Sequence, residues 1–408
     1  MTTSTAPTHA PPPAVWAVLM LPFGALTGFV SVGLTFMATK HGLSITDGAL
    51  LNGANVLSQW LKWLWAPLVD VTLTPRRWHV LATVCTGLGV LAMSLIPLGP
   101  ATLGLLLVVI ALTSLVNSLV GMAVEASVAA TVAPAQVGRA SAWLQAGNLG
   151  GAGLGGGLGL MLLEVLPAHW MAGAVMAVVM LACCGALYWV PPIERHGAPP
   201  AHEGAWAHVR WVVGDLWATL RSRGGALAAL LFMLPVGTGA AASVLTQAAV
   251  AAHWGAGAGE VALMQGTLAG VITAGGCFIG GWWCQRRAPR GVYMIISLAL
   301  AAVASGMALA PATVATYVVA SCVYNLGVGI AYAGFTAVTR EAIGRGAGAT
   351  KYSLLASISN FPIWWLGLLL GWVADERGAA AMLHTEALLG ALGVGVFALA
   401  AWRWRAKG

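Results

Sequence analysis

The sequence predicts an all-α, polytopic membrane protein with twelve transmembrane helices arranged as two pseudo-symmetric six-helix bundles. Three observations carry that prediction. The 408 residues are 59% hydrophobic and only 8% charged, against roughly 25% charged in an average soluble domain. Apolar windows near the ~20 residues needed to cross a bilayer recur along the whole chain. The second half then repeats landmarks of the first at a nearly constant offset.

The windows fall at 14–38, 48–69, 78–97, 101–124, 139–163, 169–190, 225–251, 260–284, 291–310, 313–338, 350–373 and 382–402. Residues 1–13 are rich in Thr, Pro and Ala and contain no Lys or Arg. They lack the charged start of a secretory signal and are expected to be a disordered tail before an uncleaved first helix. With both termini placed in the cytoplasm, all but Lys40, Arg377 and the intramembrane Lys62 of the 19 Lys and Arg residues fall inside. The positive-inside rule therefore favours that orientation. The net charge of +7 is spread singly and in pairs between apolar segments, including a basic tail at 403–408. It reads as topology rather than as a nucleic-acid face.

The longest polar connection, 191–224, separates a first bundle at 14–190 from a second at 225–402. Within it Trp206, Val209, Val213, Leu216 and Leu220 recur at helical spacing near Arg210, Arg221 and Arg223. That pattern suits a helix lying in the membrane surface, although a plain tether is equally compatible. Met20-Leu21-Pro22-x-Gly24 returns as Met233-Leu234-Pro235-x-Gly237 at an offset of 213, and Pro75-Arg76 returns as Pro289-Arg290 at 214. The stretch Arg139 to Asn148 matches Lys351 to Asn360 at 212. Parallel six-helix halves of this kind are the architecture of the major facilitator superfamily.

The second window holds the most expensive residue in the chain. Asn52, Asn55, Gln59 and Lys62 recur at three, four and three residues, which gathers them on one arc of a helix. Read as one helix from Gly53 to Val69, Lys62 lies eight residues before Asp70, or ~12 Å along the axis. A lysine at such depth costs about 2.5–3.5 kcal/mol and must face water, a ligand or a partner charge. One reading is attraction of an anionic group on a solute; the other is snorkelling or a structural pair.

Ser114, Asn117, Gly121 and Glu125 follow one face of the fourth window, with Glu125 the most deeply placed carboxylate in this reading. It suits either a proton carrier or a pair with Arg139 at the start of the fifth window, the pair being preferred. Asn325 and Tyr332 share a face of the tenth window and, with the polar start of the eleventh, suit the wall of a cavity for a ring-containing or amide-rich ligand. Helix-to-helix hydrogen bonds would explain them as well. Gly151-Ala-Gly153-Leu-Gly155-Gly156 matches G-x-G-x-x-G only in form, because it lies mid-membrane with no preceding strand. Its glycines are expected to let helices approach closely.

The six cysteines all lie in apolar segments without a C-x-x-C or a His at metal spacing, and read as packing residues. No Ser-His-Asp set can be assembled in one compartment. An enzyme is disfavoured, and neither a metal nor a cofactor is expected.

Lys62-Trp-Leu-Trp-Ala-Pro-Leu-Val-Asp70, Ala349-Thr-Lys-Tyr-Ser-Leu-Leu-Ala-Ser-Ile-Ser-Asn-Phe-Pro362 and Gly371-Trp-Val-Ala-Asp-Glu-Arg-Gly378 together resemble one branch of the major facilitator superfamily. That branch contains the AmpG-type anhydromuropeptide permeases, the acetyl-coenzyme A transporters and the siderophore permeases of the pyochelin and rhizobactin type. The resemblance implies a monomeric permease of the bacterial inner membrane for a bulky, often anionic or amide-bearing small molecule, with protons as the implied coupling ion. The segment Asp70 to Arg77 is similar to the G-x-x-x-D-R-x-G-R-R loop of the superfamily, without its Gly and first Arg. By that similarity Asp70, Arg76 and Arg77, with Arg290 in the second half, would latch the cytoplasmic side. Members of the branch carry acidic residues in the middle of the fourth span, where this chain has Asn117 and then Val120-Gly-Met-Ala-Val124 before Glu125.

The expected site is therefore Asn55, Gln59, Lys62 and Asn117 from the first half with Asn325 and Tyr332 from the second. A polytopic sensor or assembly factor that keeps the fold without turnover stays open beside a secondary transporter.

Overall fold

The computed structural model describes residues 11–65, 73–132, 137–191, 214, 217–343 and 348–406, and those residues are helical almost throughout. The first six spans are α1 (Ala14–Lys40), α2 (Ile45–Leu61), α3 (Pro75–Leu95), α4 (Leu103–Thr131), α5 (Val137–Val165) and α6 (His169–Trp189). The seventh is three short helices, α7 (Arg223–Met233), α8 (Ala241–Leu245) and α9 (Ala248–Ala251). Then come α10 (Ala258–Cys284), α11 (Pro289–Leu309), α12 (Val314–Ile343) and α13 (Gly348–Ala406), whose 59 residues turn at Gly378.

Nine helices among the described residues are long and apolar enough to cross a membrane. The last of them, Tyr352–Trp404, is 53 residues long, roughly twice one crossing. Gly378 breaks it with φ 85° and ψ 171°, a conformation open to glycine. With α2 and the broken seventh span added, the helices are consistent with twelve crossings.

Local chemistry sets the helix starts. Ser44 and Asp47 form a reciprocal capping box at the head of α2, and Thr74 caps α3 ahead of Pro75 at its first position. In α1, Ser31, Thr35 and Thr39 each return a hydroxyl to the carbonyl four residues back, at 2.7, 2.7 and 3.2 Å. Without water to serve them, hydroxyls in a membrane helix use the backbone.

Two expected spans differ in the structure. The sequence predicts a second span continuous to Val69, but α2 ends at Leu61 and tightens into a 3₁₀ turn over Lys62–Leu64. Pro67, just beyond, disfavours α geometry in the residue before it. Lys62 therefore sits on the final turn of its helix. The seventh span, expected as one helix over 225–251, breaks after Met233. Pro235 has no N–H to donate, and Gly237 and Gly239 take positive φ of 64° and 63°. The matching Pro22 in the first half stays inside a continuous helix.

α1 lies against α5, α3 against α4 and α6, and α10 and α11 against α12. The glycines of the fifth span serve this packing. A Cβ on Gly155 would collide with the carbonyl of Ala25, and one on Gly28 with the carbonyl of Ala152. The two sets of helices meet where α2 lies on α13 and where α5 lies on α10.

The linker helix expected over 191–224 falls mostly outside the described residues; residues 217–221 are helical, with the Arg221 guanidinium 4.8 Å from the Trp217 ring.

Candidate substrate cavity

A cavity of about 340 Å³ lies between the two sets of helices. Its walls come from the first halves of α1, α5, α11 and α13, the last halves of α2, α4 and α12, and the break after α7. Because successive spans alternate in direction, all of these belong to the end that carries the chain termini.

The opposite end is sealed by hydrogen bonds between the two halves. The Asp375 carboxylate accepts from the backbone N–H groups of Ile45 and Thr46 at 3.3 and 3.4 Å and from the Thr46 hydroxyl at 2.9 Å. The Thr246 hydroxyl lies 2.7 Å from the carbonyl of Ser31, and the Ala248 N–H donates to Thr39 Oγ1 at 2.8 Å.

α2 brings Asn55, Gln59 and Lys62 to the cavity, one turn or nearly so apart. Asn55 is buried and its Oδ1 accepts from Ser114 of α4 at 2.7 Å. Glu125 of α4 also lines the cavity and is exposed within it. Lys62 and Glu125 interact electrostatically, but among the described residues no ion pair within 4.0 Å joins them. The second half contributes Tyr332 from α12 and Tyr352 from α13, with Phe335 between them at ring-centroid distances of 6.1 and 6.0 Å. Gln145 of α5 lines the cavity with Tyr332 and accepts from Asn148 at 3.4 Å. Among the described residues the pocket thus offers one cation, one anion, several amides and an aromatic wall.

The expected site divides on this geometry. Asn55, Gln59, Lys62 and Tyr332 line one cavity, as does Glu125, which the sequence places with the gating residues. Asn117 and Asn325 lie outside the lining. Asn117 donates to the carbonyl of Phe23 at 3.0 Å, and Asn325 donates to Gln265 at 3.3 Å and to the carbonyl of Ser321 at 3.0 Å. Arg76 and Arg77 are exposed at the start of α3; Asp70 and the side chain of Arg139 lie outside the described residues. Arg290 faces Glu341 of α12, Nε to Oε2 3.7 Å.

Among the described residues the most buried carboxylate is Glu386 of α13, 8% exposed, whose Oε1 accepts from the Ala241 N–H at 3.0 Å and from the Tyr324 hydroxyl at 2.6 Å. An acid in the fifth position of the window 382–402 is the signal that could have pointed to it. Gln145 and Phe335 carry no such signal, since only the fold turns them inward.

A family model described as Major Facilitator Superfamily matches residues 15–363. The chain belongs to the major facilitator superfamily. It is a multi-pass membrane transporter of that superfamily, and its fold is that of solved transporters. One is a POT family transporter in complex with a thioalcohol-conjugated peptide, at TM-score 0.74 and 9% identity over 96% of both chains. The D-xylose-proton symporter superposes at TM-score 0.66 and 13% identity, over 94% of this chain and 95% of its own. A POT family transporter in complex with 5-aminolevulinic acid gives 0.71 and 10% over 95% of each. At these identities the likeness is one of fold.

Proposed function

We propose that this transporter is a secondary permease of the bacterial inner membrane that carries a bulky polar or anionic, amide-bearing solute by alternating access. The observation that carries this reading is that Lys62 and Glu125 face one cavity between the two halves without closing on each other. A lysine held at the edge of the membrane interior, with no ion-pair partner among the described residues, is stabilised when a solute anion supplies one. Asn55, Gln59, Gln145 and Tyr332 would hold amide and hydroxyl groups of that solute, and the Phe335 and Tyr352 rings its apolar part.

The distribution of Lys and Arg supports a cytoplasmic side for both termini. On that orientation the cavity belongs to the cytoplasmic half and the seal at Asp375, Thr246 and Thr39 to the outer half, an inward-facing state. Two bundles rocking about a central site would exchange that seal for one on the inner side. There Arg76 and Arg77 with Asp70, and Arg290 with Glu341, are the candidate latches. Within the superfamily, the segments Lys62–Asp70, Ala349–Pro362 and Gly371–Gly378 favour the branch of muropeptide, siderophore and coenzyme A thioester carriers.

The reading is tested by a thermal-shift screen of anhydromuropeptides, siderophores and coenzyme A thioesters, followed by flux of any stabilising compound into proteoliposomes. Stabilisation and saturable flux are expected. A protein that binds members of this panel yet moves none would be a sensor on a transporter fold.

A further inference from the structure

We propose that Glu386 is a proton-binding site, separate from the cavity, whose occupancy holds the outer seal closed. The proposal rests on the alternating-access reading and adds to it the group that senses the proton.

Glu386 lies on the second limb of α13 with only 8% of its surface exposed. One carboxyl oxygen, Oε1, holds both of its hydrogen bonds, from the Ala241 N–H and the Tyr324 hydroxyl. The other, Oε2, is buried with no partner. No cation balances the group among the described residues. α12 contributes the Tyr324 hydroxyl, and α8 contributes the N–H of Ala241. α7 and α11 carry Arg223, Arg290 and Tyr293 as their only titratable side chains; Arg290 faces Glu341 and Tyr293 donates to the carbonyl of Val236. On its own helix the nearest such group is His384.

A buried carboxylate without a counter-charge carries a desolvation penalty of several kcal/mol, whereas a neutral carboxyl with one unmet polar atom carries about 1–3 kcal/mol. The arrangement therefore fits a proton on Oε2, with Oε1 left to accept two bonds as a carbonyl oxygen does. The same carboxyl caps α8, and α8 leads directly into Thr246, Gln247 and α9. Thr246 and Ala248 of this stretch form the outer seal with Ser31 and Thr39 of α1. On its other side α8 follows Val236, Gly237 and Thr238, which line the cavity. Glu386 thus joins the cavity wall to the gate.

The cycle balances simply. Water on the outer side delivers a proton to Oε2, the neutral group becomes buried, and the seal closes over it. When the seal opens and water returns, the proton leaves and the carboxylate is hydrated.

The test reads the seal without any solute. Spin labels at Ala101→Cys and Ala312→Cys, exposed loop positions of the two halves at the sealed end, are placed in a background with the native cysteines replaced. Distances are measured by double electron–electron resonance between about pH 5 and about pH 8. With Glu386 intact, the distance is expected to be short at low pH and to lengthen as pH rises. Glu386→Gln, a neutral isostere, should hold the short distance at every pH. Tyr324→Phe, which leaves the carboxyl in place, should keep a pH response and serves if the Gln variant does not fold. A pH response that survives in Glu386→Gln, or none with Glu386 intact, overturns the proposal. Flux that persists in the latter case would leave the cavity reading standing and point to another ion or to none.

Discussion

Lys62 and Glu125 line one cavity from α2 and α4, and among the described residues no ion pair within 4.0 Å joins them. Two opposite charges that share a water-accessible space gain only about 1 kcal/mol at 4 Å when the water between them screens the field. A solute anion that displaces that water gains more, because the same field then acts in a lower dielectric. On the function proposed above, the unclosed pair is what makes the site receptive to a solute.

Removing the anion should sharpen the cation. Glu125→Gln leaves Lys62 as the sole charge of the two and removes repulsion against an incoming carboxylate or phosphate. An anionic solute from the screening panel should bind several-fold more tightly, as read by isothermal titration in detergent. Weaker binding would mean that Glu125 itself contacts a cationic part of the solute.

The α1–α5 contact is set by backbone. Gly155→Val would drive methyl groups into the carbonyl of Ala25, and overpacking of this kind costs about 1–3 kcal/mol or more. A lowered midpoint of thermal unfolding is expected. Gly185→Val, at a glycine with open space around it, is the control and should leave the midpoint nearly unchanged.

Asp375 ties α13 onto the first turn of α2 at the end opposite the cavity. Asp375→Ala removes all three of its hydrogen bonds to Ile45 and Thr46, and charge-assisted bonds of this kind contribute about 1.5–3 kcal/mol each at most. The label pair at Ala101 and Ala312 should then show a longer distance than in the parent protein at the same pH. An unchanged distance would place the strength of the seal in α8 and α9 alone.

Much of this is legible in the chain. The apolar windows, the 212–214 offset and the arc of Asn55, Gln59 and Lys62 need only periodicity and composition, because a membrane forces helices and punishes charge. What the sequence hides is the fate of a shared motif. Pro22 and Pro235 occupy equivalent places, yet one helix continues and the other breaks, and the glycines downstream of each proline decide between them. Gly24 packs on the α5 backbone while Gly237 and Gly239 turn to positive φ. Asn117 and Asn325 mislead because an amide on a membrane helix reads alike whether it meets a cavity or a neighbouring carbonyl. Glu386 escapes notice because it stands near one end of its window, where acids are ordinary. Its depth becomes visible only once α8 and Tyr324 close around it.

The most direct measurement is the affinity of Lys62→Ala for an anionic compound that stabilises the parent protein in the thermal-shift panel, with vesicle uptake of the same compound alongside. Loss of a charge-assisted contact of about 1.5–3 kcal/mol corresponds to roughly a ten- to hundred-fold weaker Kd. That loss is expected with uptake reduced in step, and Lys62→Arg should recover part of both. A folded Lys62→Ala variant that binds and carries the anion as the parent protein does would contradict the assignment of Lys62 to the solute.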